Sequence, residues 1–424
     1  MDQIPFARPA IGDDEIDAVA AVLRSGWLTT GGEAAAFEEE FAAFVAAEHA
    51  LAVNSATAGL HLALDAVGTA PGDVVIVPSL TFTATAEVVR YLGAEVAFAD
   101  ITADGLLVDP EHVERLAAKI TADGKRLAAI IAVHLAGEVA PMEELRALAT
   151  RYRCALIEDA AHAFPSRTRE GYAGTLGEIG VYSFYANKTI TTGEGGMVVT
   201  ANPEFARRIR AMRLHGIDRE AWRRYTDPRG SWRYDVIAPG YKYNMTDIAA
   251  AIGRVQLRRA EGFLLRRRAI AARYNDAFAP LERAGMVIRP EDREGHAWHL
   301  YILRVSGTSR TRDEVLHHLQ EAGIGVSVHY TPLHRMSYWR NRYPDQEATL
   351  INTDRRFEEI LSLPIYPDLD QIAQDRVVAT LSGILENDHD DRPSVSTTDR
   401  AVATPSGNRE LSTPGSEESG APDE

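Results

Sequence analysis

Two short runs hold the residues whose types and spacing could do chemistry. Leu156-Ile157-Glu158-Asp159-Ala160-Ala161-His162 is an apolar run that ends in acids. Tyr182-Ser183-Phe184-Tyr185-Ala186-Asn187-Lys188 follows it, and then Gly193-Glu194-Gly195-Gly196. An acid at the end of a strand and a lysine in a polar, glycine-flanked turn are the pair that pyridoxal phosphate (PLP) requires. The acid keeps the pyridine nitrogen protonated, so that the ring can draw electrons. The lysine forms the Schiff base and later moves the proton. Either residue alone also suits a strand-capping Asp or a solvated surface Lys, so the pair gains meaning only from what surrounds it.

The elements that must position the pair alternate along the first two thirds of the chain. Asp13 to Arg24 has Ile16, Val19, Ala20 and Leu23 on one face, a helix stopped by Ser25-Gly26. Strands are expected at Leu51-Ala52-Val53, Val74 to Val77, Val96 to Ala99, Ala128 to Val133, Ala155 to Ile157, Gly180 to Phe184 and Met197 to Thr200. Helices are expected at Ala58 to Val67, Thr83 to Leu92, Asp109 to Ile120 and Met142 to Tyr152. Such alternation implies βαβ units and a mainly parallel sheet covered on both faces. Ligands then gather at the carboxyl ends of the strands, where Asp159 lies. A long helix from Thr246 to about Phe278 leads to a smaller unit. That unit has a strand at His299 to Val305, a helix at Arg312 to Ala322, a strand near Gly325 to Val328 and a last helix near Asp370 to Glu386.

Other residues fit the same chemistry. Asn54-Ser55-Ala56-Thr57-Ala58-Gly59 joins a strand to a helix, and small residues there let backbone N–H groups reach a phosphate; an ordinary N-cap reads the same way. Phe82, in Thr81-Phe82-Thr83-Ala84-Thr85, could stack on a flat ring or pack in the core. Ser183 could add a hydroxyl to the phosphate, and His162 could touch a ring hydroxyl or serve as a structural hydrogen-bonder. Neither G-x-G-x-x-G nor G-x-x-x-x-G-K-[ST] occurs, so neither a dinucleotide fold nor a P-loop is indicated. His296-Ala297-Trp298-His299 has no third ligand at suitable spacing, so no metal site is expected.

Composition bounds the rest. The 424 residues suit two or more domains, with 45% hydrophobic and 25% charged residues, as in a globular protein. No run approaches ~18 uncharged apolar residues, so no membrane span is expected. Cys154 is the one cysteine, which excludes an internal disulfide. With no apolar signal core in the first eight residues, this points to the cytoplasm. The net charge of −16 argues against nucleic-acid binding. From Glu386 onward ten acids meet three arginines (net −7), leaving −9 for the body. Residues 387–424 are Ser, Thr, Pro, Gly and acids with little to bury, and read as a disordered acidic tail.

The order of these parts is more specific than any one of them: phosphate loop, aromatic, acid at a strand end, serine plus lysine, then glycines. In that order, from Ile4 to Leu385, the chain resembles the sugar-nucleotide aminotransferase (DegT–StrS) family of fold-type I PLP enzymes. The resemblance runs through Pro5-Phe6-Ala7-Arg8-Pro9, Gly26-Trp27-Leu28-Thr29-Thr30-Gly31, Asn54 to His61, Pro78 to Phe82, Glu158 to Ala163, Ser183-Phe184 with Lys188, Gly193 to Gly196, and Gly240-Tyr241-Lys242-Tyr243-Asn244-Met245-Thr246-Asp247. It looks most like the enzymes that aminate C4 of 4-keto sugar nucleotides, such as the type forming UDP-4-amino-4-deoxy-L-arabinose. Lys242 and Asn244 depart from the commoner form, which has Asn and Arg at those places.

The resemblance implies an aspartate aminotransferase-like α/β fold. A large PLP-binding domain would span residues 1–260 and a small C-terminal domain residues 261–386. It implies Lys188 as Schiff-base lysine and proton shuttle, and Asp159 as partner of the pyridinium nitrogen. Ala56, Thr57 and Ser183 would hold the phosphate, Phe82 would stack on the ring, and His162 would lie near the ring hydroxyl. Asn244, with Lys242, would reach the phosphate from the partner subunit of a homodimer with shared sites. Trp27, Thr29, Gly31, His329 and Tyr330 would line the sugar pocket. The implied reaction moves an amino group from an amino acid, glutamate on the family pattern, to the C4 ketone of a nucleotide sugar, with pyridoxamine phosphate between the two halves. The abundance of Ala and Arg fits a high-GC source and a dTDP-4-keto-6-deoxyhexose of deoxysugar or natural-product metabolism; a UDP-4-keto-pentose is the alternative. The related PLP sugar dehydratases carry His at the Lys188 position, which speaks against dehydration. A non-catalytic homologue would not need Asp159, Ser183 and Lys188 intact. An amino-acid aminotransferase would call for an Arg fork for the second carboxylate.

Overall fold

The computed structural model describes residues 3–218 and 234–390. Seven strands form the main sheet: β1 (His49–Val53), β2 (Val74–Pro78), β3 (Glu95–Ala99), β4 (Leu127–Val133), β5 (Ala155–Asp159), β6 (Ile179–Ser183) and β7 (Gly196–Thr200), in the order β1-β7-β6-β5-β4-β2-β3. Strands β3, β2, β4, β5 and β6 pair in parallel. Strand β7 runs antiparallel to both β6 and β1. The carboxyl ends of β1, β2, β4, β5 and β6 therefore share one edge of the sheet, together with the start of β7. Every residue of β4 and β5 is buried. Strands covered on both faces need continuous apolar runs, and Leu127-Ala-Ala-Ile-Ile-Ala-Val133 is one.

Register fixes the heights of the functional residues. Val133 pairs with Asp159, and Asp159 with Val181. Helix α3 (Ala56–Ala66) starts three residues after β1 ends, with the Ser55 side chain capping it by accepting from Ala58 N–H. Gly59 sets its distance from the sheet: a Cβ there would lie 2.6 Å from Val181 Cγ1. Helix α3 thus packs directly on β6 and β7, and its first turn sits at the edge where Asp159 and Ser183 emerge.

Beyond the sheet, one helix of 37 residues, Asp247–Arg283, is capped by Thr246. Its first half, with Ala250, Leu257, Ala260 and Phe263, packs in the core that includes Phe37 and Phe41. Its second half, with Ile270, Tyr274, Phe278 and Leu281, packs in the core of a smaller unit. That unit has a three-stranded antiparallel sheet, β8 (Val287–Ile288), β9 (Tyr301–Val305) and β10 (Ile360–Leu363), with helices Arg312–Glu321 and Gln371–Asp390. A further cluster, Leu80, Ile101, Leu135, Leu300, Ile302 and Ile360, cements loops of the large sheet to the small one.

The expected strands of the main sheet and the long helix are present. Helix Gly32–Val45 was not anticipated, although Ala34, Phe37, Phe41 and Val45 fall at helical spacing and are its buried face. The strand expected near Gly325 to Val328 is absent. Gly325 is pressed against the N-terminal segment, where a Cβ would meet Phe6 N at 2.5 Å. Only isolated bridges form there, Ile4 with Ile324 and Ser327 with Ser362; β10 supplies the ladder instead. The last helix runs through Asp390, past the boundary at 386 expected from composition, and the rest of the expected tail lies outside the described residues.

Candidate active site

A cavity of about 450 Å³ opens where the strands end. It is lined by Ser55, Ala56 and Thr57, by Asp159 and His162, and by Ser183, Lys188 and Gly195; Phe82, His329 and Tyr330 complete it. Residues far apart in the chain therefore converge as the parallel sheet predicts.

Asp159 is buried at the last position of β5. Thr85 Oγ1 donates to its Oδ2 at 2.8 Å, and Ala161 N–H to its Oδ1 at 3.1 Å. Each carboxylate oxygen thus has one donor and keeps capacity for another. Burial raises the Asp159 pKa, and the hydrogen bonds from Thr85 and Ala161 and the Lys188 charge pull it back down. Lys188 is pushed down to about 8 by burial, which outweighs the attraction of Asp159. An amine poised near neutrality is suited to taking and returning a proton.

In the same cavity, Ala56 and Thr57 are first-turn residues of α3, whose N–H groups have no acceptor within the helix. The approach is tight: a Cβ on Gly196 would lie 2.8 Å from Ala56 N and 2.8 Å from Tyr182 O. Glycine at 196 is what allows β7 to approach the first turn of α3. Ser183 Oγ accepts Tyr185 N–H at 3.3 Å and keeps its own proton for donation. Phe82 is 55% exposed although it stands in the cavity wall, an apolar face open to a flat ligand. Amide and hydroxyl donors, a buried carboxylate, an amine and an aromatic face line one cavity: this donor set fits a protonated pyridine bearing a phosphate and an aldehyde.

Five of the anticipated residues stand elsewhere. Lys242 Nζ donates to Asn244 Oδ1, and Asn244 Nδ2 donates to Thr30 Oγ1 at 2.6 Å. The Trp27–Gly31 loop is tied to the start of the long helix. Gly31 N–H donates to Asp247 Oδ1 at 2.7 Å, Asp247 N–H to Thr29 O at 3.3 Å, and Trp27 Nε1 to Thr30 O at 3.2 Å. Thr30, Gly31 and Asn244 line a second cavity of about 410 Å³ with Arg207, Arg210 and Arg213. Within one chain, Trp27, Thr29, Gly31, Lys242 and Asn244 are not among the residues around Lys188.

His329 and Tyr330 do line the Lys188 cavity. The His329 Nδ1 pairs with Ser362 Oγ at 2.8 Å, and burial followed by the Lys188 charge lowers its pKa to about 4. His162 Nε2 lies 2.9 Å from Tyr330 Oη. Burial, then the charges of Lys188 and His329, hold His162 well below its ordinary pKa. Two contributors escaped the sequence reading. Thr85, with Thr81 at 2.9 Å behind it, steadies Asp159; the i,i+4 spacing of these two threonines was the available signal. Asn187 lines the cavity with a buried Oδ1 that has no partner among the described residues.

Comparison with known proteins agrees with this geometry. Residues 9–382 match the DegT/DnrJ/EryC1/StrS aminotransferase family. The spore coat polysaccharide biosynthesis protein SpsC of Bacillus subtilis (strain 168) is 41% identical over 387 residues, covering 90% of this chain and 97% of that protein. The putative sugar aminotransferase Spr1654 from Streptococcus pneumoniae, in its PMP form, superposes with a TM-score of 0.83 at 31% identity, covering 91% of this chain and 99% of that one; a PLP form is also known. S. venezuelae DesV, solved in complex with a ketimine intermediate, superposes with a TM-score of 0.79 at 32% identity, covering 91% of this chain and 99% of that one. The chain, an α/β protein whose cavity joins Lys188 to Asp159, belongs to the DegT/DnrJ/EryC1/StrS aminotransferase family.

Proposed function

We propose that this enzyme is a PLP-dependent sugar aminotransferase that moves an amino group from an amino acid, glutamate on the family pattern, to the C4 ketone of a nucleotide-activated sugar. The observation that carries the reading is the placing of Lys188 and Asp159 in one cavity that the first turn of α3 also lines. The relation to a spore coat polysaccharide biosynthesis protein supports a sugar destined for a glycan; a dTDP-4-keto-6-deoxyhexose is the favoured acceptor and a UDP-4-keto-pentose the second.

Bound PLP supplies the electron sink that lets a proton leave the carbon bearing the amino group. The protein does the rest. Asp159, in a desolvated site, keeps a proton on the ring nitrogen by pairing with it. Ala56, Thr57 and Ser183 hold the phosphate, and the positive end of α3 favours its charge. Phe82 covers a ring face. Lys188 would hold the cofactor through its amine; once freed, that amine would take the proton from the donor's carbon and deliver it to the cofactor's reactive carbon, and in the acceptor half would carry a proton the opposite way, to C4 of the sugar. The shift of its pKa to about 8 leaves about a tenth of that amine unprotonated at pH 7, where an ordinary lysine would have well under a thousandth.

The residues expected from sequence to serve sugar and phosphate, Trp27, Thr29, Gly31, Lys242 and Asn244, stand apart from Lys188 within one chain. That separation supports a homodimer in which one subunit completes the other's site. Division into a large unit of residues 1–260 and a small one of 261–386 is supported by the two cores that share the long helix. Among the described residues no helix is long and apolar enough to cross a membrane, and the lone cysteine supports a cytoplasmic home. The test is to load the protein with PLP, add glutamate and follow the visible band. Its loss, with formation of 2-oxoglutarate, and its return on adding a 4-keto nucleotide sugar are expected. A band that glutamate and other amino acids leave unchanged would contradict the reading.

A further inference from the structure

His162 is buried beside Lys188 and Asp159, in the place where a donor to a ring oxygen was expected. Its hydrogen bonds leave it unable to be that donor. Ala136 N–H donates to His162 Nδ1 at 3.3 Å. A ring nitrogen that accepts from an amide bears no proton, so the hydrogen of the neutral imidazole is on Nε2. Burial favours that neutral form. Nε2–H therefore donates to Tyr330 Oη at 2.9 Å, and both nitrogens of His162 are used.

The consequence falls on Tyr330. A phenol oxygen that accepts from one side must turn its own hydrogen to the other. Among the described residues, His162 is the one hydrogen-bond partner of Tyr330 Oη. The hydroxyl hydrogen is therefore directed away from His162 at a residue that lines the cavity. The charge of Asp159 acts on Tyr330, and that of Lys188 on its partner His162. Tyr330 thus lines the same cavity as the group that takes the ring nitrogen and the group that takes the reactive carbon. In PLP the ring oxygen is the substituent next to that carbon.

We propose that the Tyr330 hydroxyl is the hydrogen-bond donor to the ring oxygen of the cofactor and that His162 is the positioning residue that aims it. This rests on the PLP assignment above. The titratable groups around Tyr330 are Asp159 from β5, His162 and the adjoining His329, with Lys188 from the turn after β6 lining the same cavity and His299 tilted against His162 at 4.4 Å between ring centroids.

The test is a pH titration of the visible absorbance of PLP-loaded wild type, Tyr330→Phe, His162→Asn and the double variant. A donor to the ring oxygen stabilises its anion and loosens the proton which that anion shares with the neighbouring nitrogen. Tyr330→Phe should therefore raise the midpoint by about one pH unit, the worth of one hydrogen bond to a charged oxygen. His162→Asn should raise it by less, and the double variant no further than Tyr330→Phe alone. An unmoved midpoint in loaded Tyr330→Phe would overturn the proposal while leaving the functional reading intact. So would a shift in His162→Asn that Tyr330→Phe does not reproduce, because His162 would then touch the ring itself. Failure of the wild-type protein to take up PLP would overturn the functional reading and this inference with it.

Discussion

Glu158 and Asp159 are neighbours on β5, both buried, and their side chains face opposite sides of the sheet. Glu158 is saturated. His134 Nε2 is 2.8 Å from its Oε2, Gly174 N–H donates to the same oxygen at 2.7 Å, and the N–H groups of Leu176 and Gly177 donate to Oε1 at 2.6 and 2.5 Å. Asp159 has two donors and an open cavity beside it. The same contrast separates two histidines. The Nδ1 of His134 accepts Ala140 N–H, as that of His162 accepts Ala136 N–H. His134 passes its hydrogen to the saturated carboxylate, whereas His162 passes its own to a hydroxyl that still has a proton to give. A buried polar group whose bonds are all filled by the protein holds a loop; one with capacity left toward a cavity is available to a ligand.

Substitutions on the cavity side should strike activity and those behind the sheet should strike stability. The largest effect is expected from Lys188→Ala, which should cut turnover by about 10⁴-fold or more while the fold persists; near-normal turnover would remove this residue from the chemistry. The paired variants Asp159→Asn and Glu158→Gln come next. Asp159→Asn should reduce kcat by about 10²–10³-fold with little change in denaturation midpoint. Glu158→Gln should destabilise by about 2–4 kcal/mol, through hydrogen bonds lost in a buried site, with kcat of the folded enzyme near normal. The reverse pattern would invert the comparison.

The pH dependence of the cofactor-free protein sharpens it further. Lys188 sits at about 8 rather than 10.5, so the rate of PLP uptake should rise about tenfold per pH unit up to that value and then level off. Because its folded pKa lies below the unfolded one, the unfolded chain binds more protons between the two values. Stability of the cofactor-free protein should therefore gain a rising contribution from Lys188 as pH increases from about 8 to 10.5. An uptake rate still climbing at pH 10 would indicate an ordinary, solvated lysine. The smallest effect is expected from Thr85→Val, which removes one of the two donors to Asp159 and should lower kcat about 2–10-fold.

Much of the fold was legible because alternation of buried runs and amphipathic helices is a local pattern: β4 and the helix Met142–Tyr152 fall where periodicity puts them. Asp159, Ser183 and Lys188 were legible because a parallel sheet gathers strand ends. The contact of His162 with Tyr330 was not, since it spans 168 residues and depends on how the small unit closes over the sheet. The small unit's own sheet was read less well for the same reason. Strand β10 is four residues long and earns its place only through pairing with β9.

The most direct test of the central claim is to add PLP to the purified protein, reduce it with borohydride and map the modified residue by mass spectrometry. A stable phosphopyridoxyl group on Lys188, absent from Lys188→Ala, is the predicted result. A label on another lysine, or no label on a folded protein saturated with PLP, would contradict it.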